Sequence, residues 1–365
     1  MSEKYYNLNR INKKNAQYNI IIGERSNGKT YTCLKHGLEL CFKSGYKDKF
    51  AYLRRWQDDI KGQRASNIFS AINANGEVAK ITNGEYDSIE YYAGKCYFGS
   101  YNEMLNKVVR GELCCYLFAL TSMEHDKSAS YPDIKTIIFD EFLTRRMYLP
   151  DEFVNFMNVL STIIRNRKDV KIYMLGNTVN KFCPYFKEMG LEHIKEQKQG
   201  TIDLYKYGDS DLQVACEYCS TINKNKESNI YFAFNNPKLQ MITGGKWEMD
   251  AYPHLPYRYK NSDIEFIFFI DFDDKILQCE VINTGDSMFI YIHDKTTPIK
   301  NDNDLIYSLK ISDKPNVING FGKGGKITTK IYSFFMNNKV FYQDNSIGEI
   351  VRNFMIQTGK TLNYS

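Results

Sequence analysis

The sequence predicts a two-domain protein in which an α/β domain with a parallel sheet precedes a smaller α+β domain. Three observations lead to this fold class: the length, an alternation of apolar runs with helical patterns before residue 200, and hairpin-like strands near the end. At 365 residues the chain is long enough for two domains, each with its own core. Hydrophobic residues make up 43% and charged residues 25%, which excludes a disordered or fibrous chain.

The charge, apolar runs and cysteines exclude several classes of protein. The net charge of +5 permits contact with nucleic acid but lacks the strong basic excess of a protein that coats it. Because no stretch approaches the roughly 18 apolar residues of a membrane span, we expect a soluble intracellular protein with no membrane partner. The nine irregularly spaced cysteines predict reduced, buried thiols. The single CxxC, Cys216 to Cys219, lacks the second ligand pair that zinc needs.

Apolar runs separated by helical patterns predict the parallel sheet of the first domain, which we expect over residues 1–200. Between the last two runs, apolar residues from Phe153 to Ile164 recur at helical spacing and predict a helix that covers the sheet. The predicted strands are residues 18–22, 50–53, 115–120, 136–139 and 171–175.

The rest of the chain divides into a connector and a second domain. Residues 201–250 are polar and interrupted, so we expect a linker or small lid there, with two short strands. Residues 251–365 are expected to form the α+β domain, because strands separated by Asp- and Gly-containing turns predict an antiparallel meander. Its predicted elements are strands at 264–271, 276–282 and 287–293, a helix at 327–336, a strand at 340–344 and a helix at 346–357.

The strongest chemical signal is a phosphate loop. An apolar strand enters it and a helix from Lys29 to Lys43 leaves it, so backbone N–H groups at a helix N-terminus can surround a triphosphate. Lys29 would neutralise the β and γ phosphates of ATP, and the Thr30 hydroxyl would ligate Mg²⁺. A simple glycine turn is the alternative. The pattern GxxxxGK[ST] is matched by Gly23, Glu24, Arg25, Ser26, Asn27, Gly28, Lys29 and Thr30.

Two adjacent carboxylates end the predicted strand at residues 136–139. Asp140 is placed to hold the water shell of Mg²⁺, and Glu141 to polarise an attacking water. A glutamate directly after the aspartate indicates hydrolysis and not phosphoryl transfer to a small molecule. A solvated Asp-Glu turn is the alternative.

Further polar residues are candidates for contact with the γ-phosphate. Asn177 follows the predicted strand at 171–175, which should lie beside the Asp140 strand, so it is either a γ-phosphate sensor or a turn residue. Hydrolytic NTPases usually need an arginine at the transition state, often from a neighbouring subunit, and Arg145 and Arg146 are the first candidates. A surface salt bridge or a DNA contact is the alternative role for each arginine. The other candidates are Arg25, Arg54 and Arg55.

Taken together, these motifs give the chain a resemblance to the DNA-encapsidation ATPases of small tailed phages of the phi29 type, relatives of the large terminase motors. The order and spacing of the motifs agree over residues 15–185, and the motifs are Arg25 in the phosphate loop, YLRRW at 52–56, IIFDEF at 137–142 and LGN at 175–177. The resemblance implies an ASCE/RecA-like P-loop ATPase domain, ATP and Mg²⁺ as cofactors, and a C-terminal domain of RNase H-like fold.

In functional terms the resemblance implies an ATP-driven translocase that packages double-stranded DNA into a viral prohead. The expected partners are the DNA, the portal or connector of the prohead, a packaging RNA in the phi29 type, and further copies of the chain in a ring, expected to be a pentamer. Such a protein works in the host cytoplasm and transiently on the prohead. Two alternatives stay open: a terminase-type motor with an active two-metal nuclease, and a nucleotide-gated assembly protein that does not translocate.

The acidic residues of the second domain indicate whether it is an active nuclease or an inactive vestige of one. A two-metal site needs three or more carboxylates from separate elements. Asp271 and Asp344 end predicted strands, and Glu349 is the only obvious third acid. We therefore expect a vestigial domain that does not cut DNA, in which these acids are turn and cap residues.

Overall fold

The computed structural model describes residues 5–122, 130–220, 246–255, 258–321 and 325–358. The chain divides into two compact units, of which the first is Met1–Arg145 with Leu149–Glu248 and the second is Arg146–Tyr148 with Met249–Ser365. Within these described segments, no helix is both long and apolar enough to cross a bilayer.

A nine-stranded sheet forms the centre of the first unit, with strands in the order β3-β4-β5-β2-β6-β7-β1-β9-β8. Neighbours from β5 to β9 in this order pair in parallel. Antiparallel strands complete both edges. The strands are β1 (Tyr18–Gly23), β2 (Lys49–Arg54), β3 (Ser88–Tyr92), β4 (Lys95–Asn102), β5 (Lys107–Ala119), β6 (Ile134–Asp140), β7 (Lys171–Asn177), β8 (Ile202–Lys206) and β9 (Gln213–Tyr218).

The helices of the first unit pack apolar faces onto this sheet. Helix α2 buries Leu34 and Leu38, four residues apart, and α6 buries Phe156, Leu160 and Ile163 at the same helical period. This periodicity is the reason that both helices were predictable from sequence. The helices are α1 (Asn9–Asn12), α2 (Lys29–Lys43), α3 (Gly62–Ser66), α4 (Ser70–Ala74), α5 (Glu77–Ile81), α6 (Glu152–Ile164) and α7 (Pro184–Glu188).

The parallel sheet and its five predicted strands are confirmed, with one extension. The predicted strand at 115–120 is only the end of the longer β5, whose first half pairs antiparallel with β4. The chain between α2 and β5 also holds helices and an antiparallel pair that lack a long apolar run and were not predicted. The mixed α/β fold class therefore holds, with an antiparallel extension at one edge.

The predicted boundary at residue 200 is wrong, because β8 and β9 belong to the first sheet. Strand β9 pairs in parallel with β1 from Tyr18 to Ile22, and it buries Val214, Ala215 and Cys216. Residues 201–213 are polar because they include the edge strand β8, whose outer face is exposed to solvent. The first unit consequently extends to Glu248, and residues 221–245 of the predicted linker lie outside the described residues.

A six-stranded sheet in the order β14-β13-β10-β11-β12-β15 forms the second unit. The predicted meander β10–β11–β12 is confirmed, whereas β13, β14 and β15 join it in parallel. Strands β13 and β14, of three residues each, were not predicted from the sequence. The elements are β10 (Ile264–Phe272), β11 (Lys275–Asn283), β12 (Met288–Asp294), β13 (Ile306–Ser308), β14 (Val317–Asn319), α8 (Lys326–Met336), β15 (Val340–Tyr342) and α9 (Asn345–Gln357).

Candidate nucleotide-binding site

The register of three parallel strands assembles the candidate site. Strand β1 pairs with β7 so that Gly23 lies opposite Asn177, and β7 pairs with β6 so that Leu175 lies opposite Asp140. The carboxyl ends of these strands therefore meet at one edge of the sheet, where ligands bind in open α/β folds. The edge is tightly packed. A Cβ atom placed on Gly23 would lie 2.9 Å from Cβ of Cys219, the residue that follows β9, and β9 is the second strand paired with β1.

The phosphate loop folds back around the Lys29 side chain. Ser26 and Gly28 have positive φ angles of 59° and 90°, and Gly28 adopts the left-handed conformation at no steric cost. The Lys29 ammonium is buried, and its Nζ donates to the Glu24 carbonyl oxygen at 2.7 Å and to Asn27 Oδ1 at 3.1 Å. Burial lowers the pKa of Lys29. The cation thus lies inside the loop, beside the N-terminus of α2.

A cavity of about 220 Å³ opens above this loop. Asn177 reaches the same place, since its Oδ1 accepts a hydrogen bond from Lys29 Nζ at 3.2 Å. The first turn of α2 carries no acidic residue of its own. These features fit an anionic ligand such as a polyphosphate. The cavity is lined by Ser26, Asn27, Gly28, Lys29, Thr30, Tyr31, Asp140, Glu141, Leu175, Gly176 and Asn177.

Asp140 and Thr30 form the pair of oxygen groups that suits a hard cation. Thr30 Oγ1 donates to both carboxylate oxygens of Asp140, at 3.2 Å and 3.1 Å. Asp140 is buried, and it also accepts from the Tyr52 hydroxyl at 2.8 Å. Burial raises the pKa of Tyr52 well above its usual value, so this hydroxyl remains a neutral donor. Carboxylate and hydroxyl oxygens at a phosphate site are the ligands that Mg²⁺ prefers.

Glu141 turns away from Asp140 although the two residues are adjacent. Its φ angle of 58° is left-handed, which costs a non-glycine residue roughly 1–3 kcal/mol. The side chain is 59% exposed and pairs with Arg54, whose Nη2 lies 2.5 Å from Glu141 Oε2. The two carboxylates consequently lie in different places: that of Asp140 is inside the cavity, and that of Glu141 is at its rim.

The arginines occupy unequal environments. Arg145 does not line the cavity, and its Nη1 donates to the carbonyl oxygens of Val179 at 3.0 Å and Glu248 at 3.2 Å. Arg25 in the phosphate loop is 54% exposed and lies 3.9 Å from Glu248 Oε1. Arg146 is exposed and belongs to the second unit. Arg54 and Arg55 are partly or fully buried within the first unit, where they pair with Glu141 and Glu152.

Most of the predicted site residues meet at one edge of the sheet. The missed residue is Tyr52 of β2, whose hydroxyl donates to Asp140, whereas Arg54 on the same strand was already a candidate and pairs with Glu141. The available signal was the apolar run at 50–53, since a strand beside β6 must end next to the two carboxylates. The predicted residues brought together are Ser26, Asn27, Gly28, Lys29, Thr30, Asp140, Glu141 and Asn177.

The acids of the second unit have separate structural partners. Asp271 pairs with Lys310, whose Nζ lies 3.0 Å from Oδ1, and it faces Ser308 on the neighbouring strand. Asp344 is the N-cap of α9 and accepts from the backbone N–H of Ile347 at 2.9 Å. Glu349 is buried and accepts from the Tyr252 hydroxyl at 2.6 Å. No group of three or more His, Cys, Asp or Glu side chains among the described residues is placed to hold a metal.

The fold and the site define a mixed α/β protein with a parallel sheet and a phosphate-type loop, and solved phage packaging motors share that fold. The bacteriophage phi29 genome packaging motor assembly is 21% identical with a TM-score of 0.58, covering 97% of this chain and 98% of that one. The phi28 gp11 DNA packaging motor is 19% identical with a TM-score of 0.57, covering both chains completely. Structural likeness at this identity concerns the fold.

Sequence comparison gives the family. The family model of the podovirus DNA encapsidation protein (Gp16) matches residues 2–358, so the chain belongs to this family. The DNA packaging protein of Bacillus phage B103 is 25% identical over 338 residues, which are 90% of this chain and 93% of that protein. The DNA packaging protein of Bacillus phage phi29 is 27% identical over 186 residues, or 50% and 49% of the two chains. The resemblance inferred from the motifs is confirmed.

Removing the Tyr52 hydroxyl tests the environment of Asp140. Tyr52→Phe should lower the free energy of unfolding by about 1.5–3 kcal/mol, because it leaves a buried carboxylate short of a donor. Tyr173→Phe is the matched control, since that residue is as buried as Tyr52 while its hydroxyl donates to the neutral Asn12 Oδ1 at 2.9 Å, and its loss should be about 0.5–1.5 kcal/mol. Chemical denaturation measures both values, and equal losses would contradict a charged acceptor at position 140.

Proposed function

We propose that the protein is an ATPase that drives double-stranded DNA into a viral prohead. The observation that carries this proposal is the convergence of Lys29, Thr30 and Asp140 on one cavity with Glu141 at its rim. Membership of a DNA encapsidation family, and relatives named DNA packaging proteins, supply the biological context.

ATP would be held by the loop and by the Lys29 ammonium. Lys29 Nζ exchanges its bonds to Glu24 and Asn27 for phosphate oxygens, and the N-terminus of α2 adds its partial positive charge. Thr30 and Asp140 would hold Mg²⁺, directly or through its water shell, and the bound cation would neutralise charge on the phosphates. Asn177, already in contact with Lys29, would lie on the γ-phosphate side and respond to its loss.

Glu141 would orient the attacking water and accept its proton. In the structure this carboxylate pairs with Arg54, so it must leave that cation before it can serve as a base. A catalytic carboxylate at this place would also argue against an assembly protein that binds ATP to dock on a partner without translocating.

For the second unit we propose an RNase H-like domain without nuclease activity. The three-strand antiparallel meander extended by parallel strands supports the fold. Lys310 supports the absence of cleavage, because its ammonium sits on Asp271 where a nuclease would place a cation. The facing strand offers Ser308 where a second carboxylate would be needed.

We propose the following partners and location on the strength of the relatives. The chain would form a homo-oligomeric ring, expected to be a pentamer, on the portal or connector of a prohead in the host cytoplasm, with a packaging RNA as a further partner. Solved relatives described as packaging motor assemblies support a multi-subunit motor. Arg146 would supply the transition-state cation to the neighbouring subunit, since it is exposed whereas Arg145 is committed to backbone carbonyls.

Two substitutions should separate ATP binding from hydrolysis. Lys29→Ala should abolish ATP binding, because it removes the phosphate cation. Glu141→Gln should bind ATP normally and lose about 10²–10⁴-fold in turnover, because it removes only the base. Binding of a fluorescent ATP analogue and phosphate release, each with and without double-stranded DNA, measure both effects.

Glu103→Gln is the control, because Glu103 is an exposed glutamate between β4 and β5. Near-normal turnover in Glu141→Gln would refute the assignment of the base, and turnover independent of DNA would favour an assembly protein.

The second unit should be inactive as a nuclease. We expect supercoiled plasmid to remain intact in Mg²⁺ or Mn²⁺, because too few carboxylates converge on Asp271 to bind two metals. Gel electrophoresis of the plasmid measures nicking. Nicking that disappears in Asp271→Asn would promote the terminase-type alternative.

An arginine that acts in trans can be restored by subunit mixing. Arg146→Ala rings should lose about 10³-fold in turnover, and adding Lys29→Ala subunits should restore activity at interfaces that pair an intact pocket with an intact arginine. Arg145→Ala should lower stability and gain nothing from mixing, since its role lies within the subunit. Native mass spectrometry verifies mixed rings. Rescue of Arg145→Ala but not of Arg146→Ala would reverse the assignment.

A further inference from the structure

Two consecutive arginines at the end of β2 contact the same glutamate in different ways. Arg54 pairs with the side chain of Glu141, and Arg55 contacts its backbone. Arg55 follows Arg54 directly, in the bend after β2, and the two side chains pair with different glutamates. Only Arg55 is buried, with 7% of its side chain exposed. The proposed ATP mechanism has not used this second arginine.

The Arg55 guanidinium fixes the peptide that follows Glu141. Its Nη1 donates to the Glu141 carbonyl oxygen at 3.1 Å, and its Nη2 donates to the Phe142 carbonyl oxygen at 2.7 Å. The Phe142 N–H donates in turn to the Leu175 carbonyl oxygen at 3.2 Å. These bonds hold the backbone on one side of Glu141 in the left-handed turn that directs its side chain to the cavity rim.

Glu152 fixes the guanidinium itself. Its two carboxylate oxygens accept from Arg55 Nε at 2.8 Å and Nη2 at 2.9 Å, a bidentate pair. The remaining acceptor capacity of Glu152 is used by the Tyr185 hydroxyl and the Leu149 N–H, each at 2.8 Å. Arg55 therefore has one orientation, and it joins β2, α6 and α7 to the Glu141 peptide.

We infer that Arg55, oriented by Glu152, is the positioning residue that fixes the backbone from which the Glu141 carboxylate, once released from Arg54, reaches the attacking water. The inference rests on the proposed function, because it concerns the base of that reaction. Stability alone does not call for such a buried pair, since apolar residues of similar volume often replace buried ion pairs without loss. A misplacement of about 1 Å at a reacting group can cost about 10²-fold in rate.

The experiment compares two variants that preserve packing. Arg55→Lys keeps the charge but cannot donate to two carbonyls and a carboxylate in one plane. The double variant Arg55→Met with Glu152→Gln removes both charges together, so no buried ion is left unpaired. We expect both to bind the ATP analogue within about 3-fold of the unmodified protein and to lose about 10²-fold in kcat. If Arg55→Lys does not fold, the double variant Arg55→Met with Glu152→Gln provides the test.

Arg167→Lys is the matched control for the loss of guanidinium bonds to the backbone. Arg167 also donates to several carbonyl oxygens, among them those of Ile134 and Ile163, each at 2.7 Å, but it has no contact with residue 141 or 142. Its replacement should lower the melting temperature and leave kcat within about 3-fold. A similar fall of kcat in Arg167→Lys would show that loss of any such guanidinium reduces turnover, and it would overturn the inference.

A combination with Glu141→Gln shows whether Arg55 acts through the glutamate. Once the base is absent, Arg55→Lys should change kcat less than about 3-fold further, because effects that act through one group are not additive. If Glu141→Gln is inactive while the Arg55 variants retain normal kcat, or if the losses multiply, the inference fails and the proposed function stands. If Glu141→Gln itself hydrolyses ATP normally, the proposed function fails, and the inference fails with it.

Discussion

The parallel pairing of β1 with β7 and of β7 with β6 is the constraint on which the candidate site depends. Each register fixes which residues end the strands together, so a shift of one residue would separate Asp140 from Thr30 and turn alternate side chains to the other face. Strand β2 extends the same edge and brings Tyr52 to Asp140. Long-range strand pairing thereby places groups that the chain itself keeps far apart.

Charge explains how two adjacent carboxylates coexist at this edge. Asp140 remains on the strand, and donors from Thr30 and Tyr52 compensate its burial. Glu141 leaves the strand through a left-handed turn and meets a cation at the surface. The backbone turn therefore separates the two acids into one buried acceptor and one exposed carboxylate, and this division is the feature that the proposed hydrolysis uses.

Short-range patterns in the sequence predicted the elements that depend mainly on residues close together in the chain. The phosphate loop, the exact span of α2 and the strand ending at Asp140 follow from glycine placement and helical or apolar periodicity. Strands β8 and β9 were misassigned to a linker, because their stability comes from pairing with β1 and not from their own composition. The ion pair of Arg55 with Glu152 joins residues 97 positions apart, and nothing in either segment alone indicates the other. Arg145 was a candidate for the transition-state arginine because the sequence shows its positive charge. The sequence does not show the backbone carbonyl oxygen to which its side chain donates.

The tight contact at Gly23 has a consequence for how this family can change. A Cβ atom at position 23 would approach Cβ of Cys219 to 2.9 Å, closer than such atoms pack, so the two positions share one small volume. A larger residue at position 23 would therefore require a smaller one at position 219, directly after β9. On this view Cys219 contributes through its size and not through its thiol, and a change of side-chain volume at either position would call for a compensating change at the other.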